Sequence, residues 1–481
     1  MSIRDCSILG LVLMSLQVLT AGQNAPSQET SGQNPPAQDQ SNDASRSTPA
    51  PALSGVIGID SPVAEDDTSG DLPAIPALLG GPKMSVALRS ELERSNYLRG
   101  GLNVGATYDD NALLTPDNTL RNTTFSVFPN ISLEQARARM KWKLGYAAGL
   151  TVNERLSNRN QGSHDLNFES QFRLSPHVSL RVAEDFSLTS GFFDSGNAGG
   201  VGVGNGGPNP SLVLPLSKQR SSATVAEANY HFALKDVIGA SGSFYDLHFD
   251  NTDVPQGSSL INTQSASGSA FWLHGLFGRD WAGVSYRFQR VTFDPSGETR
   301  VHSMMVVNTI KFANRFTVTG FVGPEHSDNL GLVQGGGGTA KQFSDWSVAG
   351  GVEAGWQKDH TSVAAGYSRQ ISDGGGVLGV VRLQGIHGDV RQQLFPGWAV
   401  VVGASYGRNE SLTIPTAGTA SRINSASVNA SLERNLGKSL ALRAGYTHDF
   451  QEQFGGTLQG PAHRNRFSVT LGYQWARPLG R

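Results

Sequence analysis

From Gly100 to Trp475 the chain alternates apolar residues with small or polar ones, the period of strands with two unlike faces. Residues 467–475 show it plainly. Phe467, Val469, Leu471, Tyr473 and Trp475 fall on one face, against Ser468, Thr470, Gly472 and Gln474. The pattern returns at 398–406, with Trp398, Val400, Val402, Ala404 and Tyr406 opposite Val401, Gly403 and Ser405. It returns again at 346–356, where Trp346, Val348, Val352, Ala354 and Trp356 share a side. Aromatic residues gather at the strand ends, where the interfacial girdles of a membrane barrel lie.

The connections decide what such strands build. Tight links at Ser175-Pro176-His177, Lys235-Asp236, Ala313-Asn314-Arg315, Lys358-Asp359-His360, Phe395-Pro396-Gly397 and Leu436-Gly437-Lys438 alternate with long ones. The long links are rich in Gly, Asn and Ser and fall chiefly at 193–219, 250–261, 324–343, 410–421 and 451–463. A soluble sandwich or propeller has no reason to gather its long loops at one end; an outer-membrane barrel does. The expected fold is therefore all-β, a transmembrane antiparallel β-barrel of about 16–18 strands over residues 99–481. Most of the strands exceed the roughly 9–11 residues that a tilted strand needs to cross a bilayer.

Two places resist a clean assignment of faces. Val178, Leu180, Val182, Phe186 and Leu188 should meet lipid, yet Glu184 shares their parity. A β-bulge at Ala183–Asp185, or a protein–protein contact, would remove the conflict. In the strand expected over 299–312, Met304, Met305, Val306 and Val307 are apolar on both faces.

The N-terminus reads as an export signal over residues 1–21. Arg4 is the positive head, Ile8 to Leu19 a short apolar core, and cleavage is expected after Ala21. That core falls short of the roughly 20 residues of a membrane-spanning helix. Residues 22–98 are expected to form a disordered periplasmic linker, rich in Gln, Asn, Pro and Ser. A short helix fits near its end, where Met84, Leu88 and Leu92 recur every fourth residue. Cys6, the one cysteine, leaves with the signal and excludes a disulfide framework or zinc ribbon. Charged residues are 16% of the chain, below the roughly 25% of a soluble domain, and the 58 glycines suit close-packed strands and loops. A net charge of −2 gives no electrostatic reason for a nucleic-acid partner.

Tyr108-Asp109-Asp110-Asn111, followed by Leu113-Leu114-Thr115-Pro116, closes the first strand and opens the first loop. Together with Phe125-Ser-Val-Phe-Pro-Asn-Ile-Ser-Leu133, it resembles the opening of a type 2 family of outer-membrane β-barrel porins, some of them associated with exopolysaccharide export. The resemblance extends over roughly residues 99–481 and is most specific in that first hairpin. It implies a channel in the cell outer membrane, passing small hydrophilic solutes or exporting a polysaccharide. It carries no catalytic residues. The C-terminus departs from the barrel habit of ending on an aromatic residue, since Trp475 is followed by Ala-Arg-Pro-Leu-Gly-Arg.

Chemical motifs are few. Gly403-Ala-Ser405-Tyr-Gly407 matches a nucleophile elbow, but it continues a strand where that elbow needs a sharp strand-to-helix turn. Gly202-Val-Gly204-Asn-Gly-Gly207 runs into Pro208-Asn-Pro210, so no helix terminus follows to bind phosphate. The histidines never take metalloenzyme spacing, and neither metal nor cofactor is expected. Asp250, Asn251 and Asp253 read as a water-facing loop. His448 and Asp449 are adjacent and point to opposite faces, while Asp246 and His248 share a face and read as interior lining. These are the only candidates for a hydrolase, the less favoured alternative beside a non-conducting structural or adhesive barrel.

On the polar parity, Lys141, Lys143, Arg173, Arg181, Arg287, Arg382, Arg443 and Arg466 are expected to line the lumen. They would face Asp109, Glu169, Asp185, Glu353, Glu433 and Asp449. Residues 193–219, glycine-rich and the longest loop, are expected either to fold inward as a constriction or to remain outside.

Overall fold

The computed structural model describes residues 96–479 apart from 118, 158–159, 190–217, 251–259, 277–279, 294–296, 313–314, 332–340, 359, 375–377, 413–420, 438 and 455–459. The expected signal peptide, the helix near 84–92, the Gly202–Gly207 motif and the body of the 193–219 loop lie outside the described residues. Strands β1 (Tyr97–Asp109), β2 (Asn122–Arg137), β3 (Met140–Asn153), β4 (Gln161–Arg173), β5 (Val178–Thr189) and β6 (Gln219–Ala233) come first. Next are β7 (Asp236–Phe249), β8 (Thr263–Gly275), β9 (Trp281–Phe293), β10 (Gly297–Phe312), β11 (Phe316–Gly331) and β12 (Lys341–Lys358). The last are β13 (Thr361–Asp373), β14 (Val380–Phe395), β15 (Trp398–Ser411), β16 (Arg422–Leu436), β17 (Leu440–Phe454) and β18 (Gly460–Pro478). Each pairs antiparallel with its neighbours in sequence, and β18 returns to β1, so the 18 strands close into a barrel.

Alternation then sorts the side chains. Along β1, Leu102, Val104 and Tyr108 are exposed on the outside while Asn103, Thr107 and Asp109 are buried within. Phe125, Val127 and Ile131 of β2 and Phe467, Val469 and Leu471 of β18 continue the apolar exterior. A closed barrel leaves no unpaired sheet edge at its seam, and an apolar skin around a polar interior is what a bilayer requires of a spanning sheet. The protein is an outer-membrane β-barrel. Its tight turns cluster at one end, and Gly397 and Gly437 take positive φ there, a conformation that disfavours any side chain.

Five expectations change or are settled. The link read at 324–343 is shorter, because β11 continues to Gly331 and β12 begins at Lys341. Gly323 and Pro324 look like a break, yet they sit at a short lapse in pairing between Val306↔Val322 and Ser303↔Glu325, after which the register resumes unchanged. A side chain at Gly323 would strike the Met304 carbonyl, so glycine lets the backbones approach here. The link read at 451–463 shortens likewise, since β17 reaches Phe454 and β18 starts at Gly460. Asp246 and His248 share a face, but the outer one: Asp246 meets Arg220 at 3.8 Å, and His248 is exposed beside it. In the ambiguous stretch of β10, Met305 and Val307 pack inward with Phe321 and Ala349, and Met304 and Val306 face out.

The fifth concerns Glu184. The registers of β5 with β4 and β6 run regularly through Ala183–Asp185, so no bulge turns Glu184 inward. Instead two hydroxyls on the outer face of β6 donate to its carboxylate, Ser222 at 2.9 Å and Thr224. The carboxyl group remains on the lipid side, with those two hydroxyls as its partners. Replacing Glu184 by glutamine keeps an acceptor and removes the charge. It is expected to raise the unfolding free energy in lipid vesicles by roughly 1–2 kcal/mol. A urea titration at neutral pH checks this; a variant no more stable than wild type contradicts a charge held against lipid.

Candidate functional site

The interior of the barrel holds most of the residues picked out by parity, in two groups. At the short-turn end they form chains of alternating charge. Arg99 meets Glu134 at 3.1 Å, and Arg181 meets Glu169 at 2.8 Å. Between them Lys143 on β3 stands in register with Glu134 on one side and Glu169 on the other, with Lys141 two residues below. Arg173 ends β4 at the same rim. Further round the wall Glu433 sits between Arg391 at 2.9 Å and Arg443 at 3.6 Å. Asp185 stands opposite Asn167 and Ala223, and Glu353 opposite Thr319 and Gly366.

At the long-loop end Asp109, Asp449 and Arg466 come together at the closing seam. Asp449 accepts from Arg464 at 2.8 and 3.1 Å, from Arg466 at 2.9 Å and from the Ser427 hydroxyl at 2.9 Å. Arg464 is wholly buried; it borders the link expected over 451–463, and its parity with Arg466 is the sequence signal that places it inside. The Tyr108–Pro116 motif works beside this cluster. The Asn111 side chain donates to the carbonyls of Thr115 at 2.8 Å and His463 at 2.9 Å, and accepts from the Thr115 N–H. Asp110 accepts from the Asn465 N–H at 2.7 Å and from its side-chain amide at 2.6 Å. The motif thus ties the end of β1 to β18.

The unexpected element is the β13–β14 hairpin. β13 pairs with β12 only as far as Arg369↔Gly350, although both strands go on. Beyond that point β13 and β14 stay paired with each other, and β14 with β15 as far as Val381↔Ser411, but the hairpin leaves β12 and turns into the barrel. Ile371 and Val380 pack against Val291 of β9 and Val301 of β10, while Leu378 and Val381 pack against Ile423 of β16. One face of the hairpin thereby lies on the inner wall at β9 and β10, while the other is continuous with the inner face of the β14–β15–β16 sheet. Its polar fastenings are Glu325 and Asp345. The Ile371 N–H donates to Glu325 Oε2 at 3.1 Å, the Ser347 hydroxyl approaches the same oxygen at 3.5 Å, and Arg287 attracts the carboxylate. Arg382 reaches from β14 to Asp345 on the interior face of β12. Its register parity is that of Ile386 and Val390, which face outward lower down; only the inward turn carries it inside. Glu325 fell within the supposed 324–343 loop, which is why parity could not be applied to it.

Among the described residues no group of three or more His, Cys, Asp or Glu side chains is placed to hold a metal ion. Gly403–Gly407 runs straight along β15, without an elbow. His448 faces out to Asn465, on the opposite side of β17 from Asp449.

No family model matches the chain, and no curated protein matches it in sequence. Among solved structures it is similar to the ferric citrate transporter FecA in its unliganded form, with a TM-score of 0.44 and 11% identity over 78% of this chain. The chain spans 64% of the length of that transporter. It is also similar to OccK2 (OpdF) of Pseudomonas aeruginosa, with a TM-score of 0.42 and 8% identity over 79% of this chain and 98% of that one. For the outer-membrane protein OpdK of Pseudomonas aeruginosa the TM-score is 0.41 and the identity 9%, over 79% of this chain and 99% of that one.

Proposed function

We propose that the protein is a porin-like channel for the passive passage of small hydrophilic solutes across the outer membrane. One observation carries the reading: an 18-strand closed barrel whose interior face is lined with paired charges of both signs. A barrel of about that many strands is too wide to fill with its own side chains and leaves an aqueous path. Residues 1–21 serve as the export signal, and the stretch from 22 to the start of β1 at Tyr97 as a periplasmic linker to the barrel. No catalytic role is proposed for any residue. The resemblance of the Tyr108–Pro116 segment to exopolysaccharide-associated barrels favours polysaccharide passage as a second reading.

Lys141, Lys143, Arg173, Arg181, Arg287, Arg382, Arg443 and Arg466 outnumber Asp109, Glu169, Asp185, Glu353, Glu433 and Asp449 only slightly. Wall charges steer permeating ions, and pairing cancels most of their field. The expected reversal potential in a salt gradient across a planar bilayer is small and of the sign for anions. Strong cation preference would refute the assignment of these residues to the lumen. A reconstituted protein that never conducts would favour the structural or adhesive alternative.

A further inference from the structure

The free edge of β12 and the hairpin that has left it are complementary. Residues 341–349 of β12 pair with β11 alone among the described residues, so one row of their backbone groups lacks a strand partner. An open edge in a barrel wall is a template for another strand, and in a membrane barrel it is costly. Continuing the register of Gly350↔Arg369 by two steps brings residue 348 opposite 371, and by four steps 346 opposite 373. The hairpin already carries the strand needed to fill the gap. Nor is its inner seat fully matched: the amide of Gln370, the Ser327 hydroxyl and Glu325 Oε1 are buried there without a hydrogen-bond partner. Buried polar atoms of that kind weaken a packed state.

We propose that the β13–β14 hairpin exchanges between two positions and so gates the channel. In the first, seen here, it lies inside the barrel with β14 still paired to β15, held by Ile371 and Val380 on β9 and β10, by Arg382 on Asp345 and by the Glu325 carboxylate. In the second, residues 370–373 anneal to the free edge of β12, completing the wall and clearing the mouth. Glu325 is the switch point, because it satisfies the Ile371 N–H only while the strand is away from β12. The two states make different contacts with the same residues, which is what a bistable element requires. The gating role rests on the channel reading above; the strand exchange does not.

Two cysteine pairs separate the states, in a background where Cys6 is replaced by serine. Val348 faces the outside and Ile371 the interior, so the wall lies between them in the inward state, whereas annealing sets them side by side. Oxidised V348C/I371C is expected to form a disulfide and to conduct more than its reduced form. V301C/I371C, whose side chains meet in the inward state, is expected to cross-link as well and to hold conductance low. Should V348C/I371C fold poorly, W346C/D373C probes the same register two residues further out. Cross-linking is read by mass and gel mobility, independently of current. Folded, inserted outer-face pairs that never cross-link while V301C/I371C does would overturn the exchange. Cross-linking without any change in current would remove the gate and leave the exchange. A wild-type protein that never conducts, with cross-links as expected, would strike the channel reading alone.

Discussion

Replacing Glu325 by alanine is expected to open the channel. The carboxylate stands on the interior face of β11 and is the acceptor for the Ile371 N–H at 3.1 Å. It also receives the Ser347 hydroxyl at 3.5 Å and balances the buried Arg287. Truncation leaves that N–H buried without an acceptor for as long as the hairpin stays inside. The penalty for such an orphan is about 1–3 kcal/mol, enough to shift a two-state equilibrium roughly 5- to 150-fold. Annealing to β12 relieves it, because the strand edge supplies acceptors. Single-channel recordings should show a higher open probability with the larger conductance level unchanged. Glutamine at the same position keeps an acceptor oxygen and should stay close to wild type. Heat-modifiable mobility on gels controls for folding, since Arg287 also loses its counter-charge. An alanine variant that is folded and inserted but gates as wild type would deny Glu325 its anchoring role.

That hairpin also marks where sequence reasoning stops. The strands themselves are legible because period-two alternation and the short–long rhythm are local, and both survive in every part of the wall. In Arg369-Gln370-Ile371-Ser372-Asp373 the outward parity of Val363, Ala365 and Tyr367 passes to Arg369, Ile371 and Asp373, so two charges mark where the strand stops suiting lipid but not where it goes. The turn inward is decided by partners that lie far off in the chain, namely Val291, Val301 and Glu325. Arg382 illustrates the same point, since its interior position follows from the hairpin rather than from its parity. Glu325 was hidden for a different reason. Gly323-Pro324 has the local chemistry of a break, and only pairing with β10 on one side and β12 on the other keeps the strand running through it. Glu184 shows the converse: parity placed it correctly on the outer face, and only the tertiary neighbours Ser222 and Thr224 explain how it is tolerated there.

The largest loss of stability is expected at the closing seam, from replacing Asp449 by alanine. Arg464 is 0% exposed, and its guanidinium spends two hydrogen bonds on the Asp449 carboxylate, which also holds Arg466 and Ser427. Removing one partner of a buried pair leaves the other charge uncompensated, which costs about 3–5 kcal/mol. Asp109 is the nearest remaining carboxylate and must then serve two arginines. The site matters out of proportion to its size because β1 and β18 close the barrel here, and Asn111 and Asp110 fasten the same corner. Asparagine at 449 retains acceptors without the charge and should fall between alanine and wild type. The comparison that gives the test its force is Glu298→Ala on the outer face. There Glu298 pairs with Arg290 and Arg300, both about half exposed, and such pairs contribute about 0–1 kcal/mol. Urea titrations followed by tryptophan fluorescence in vesicles should therefore separate the two variants widely. If Asp449→Ala unfolds at the same urea concentration as Glu298→Ala, the seam cluster is not what holds the barrel shut, and closure must rest on the β1–β18 backbone pairing alone.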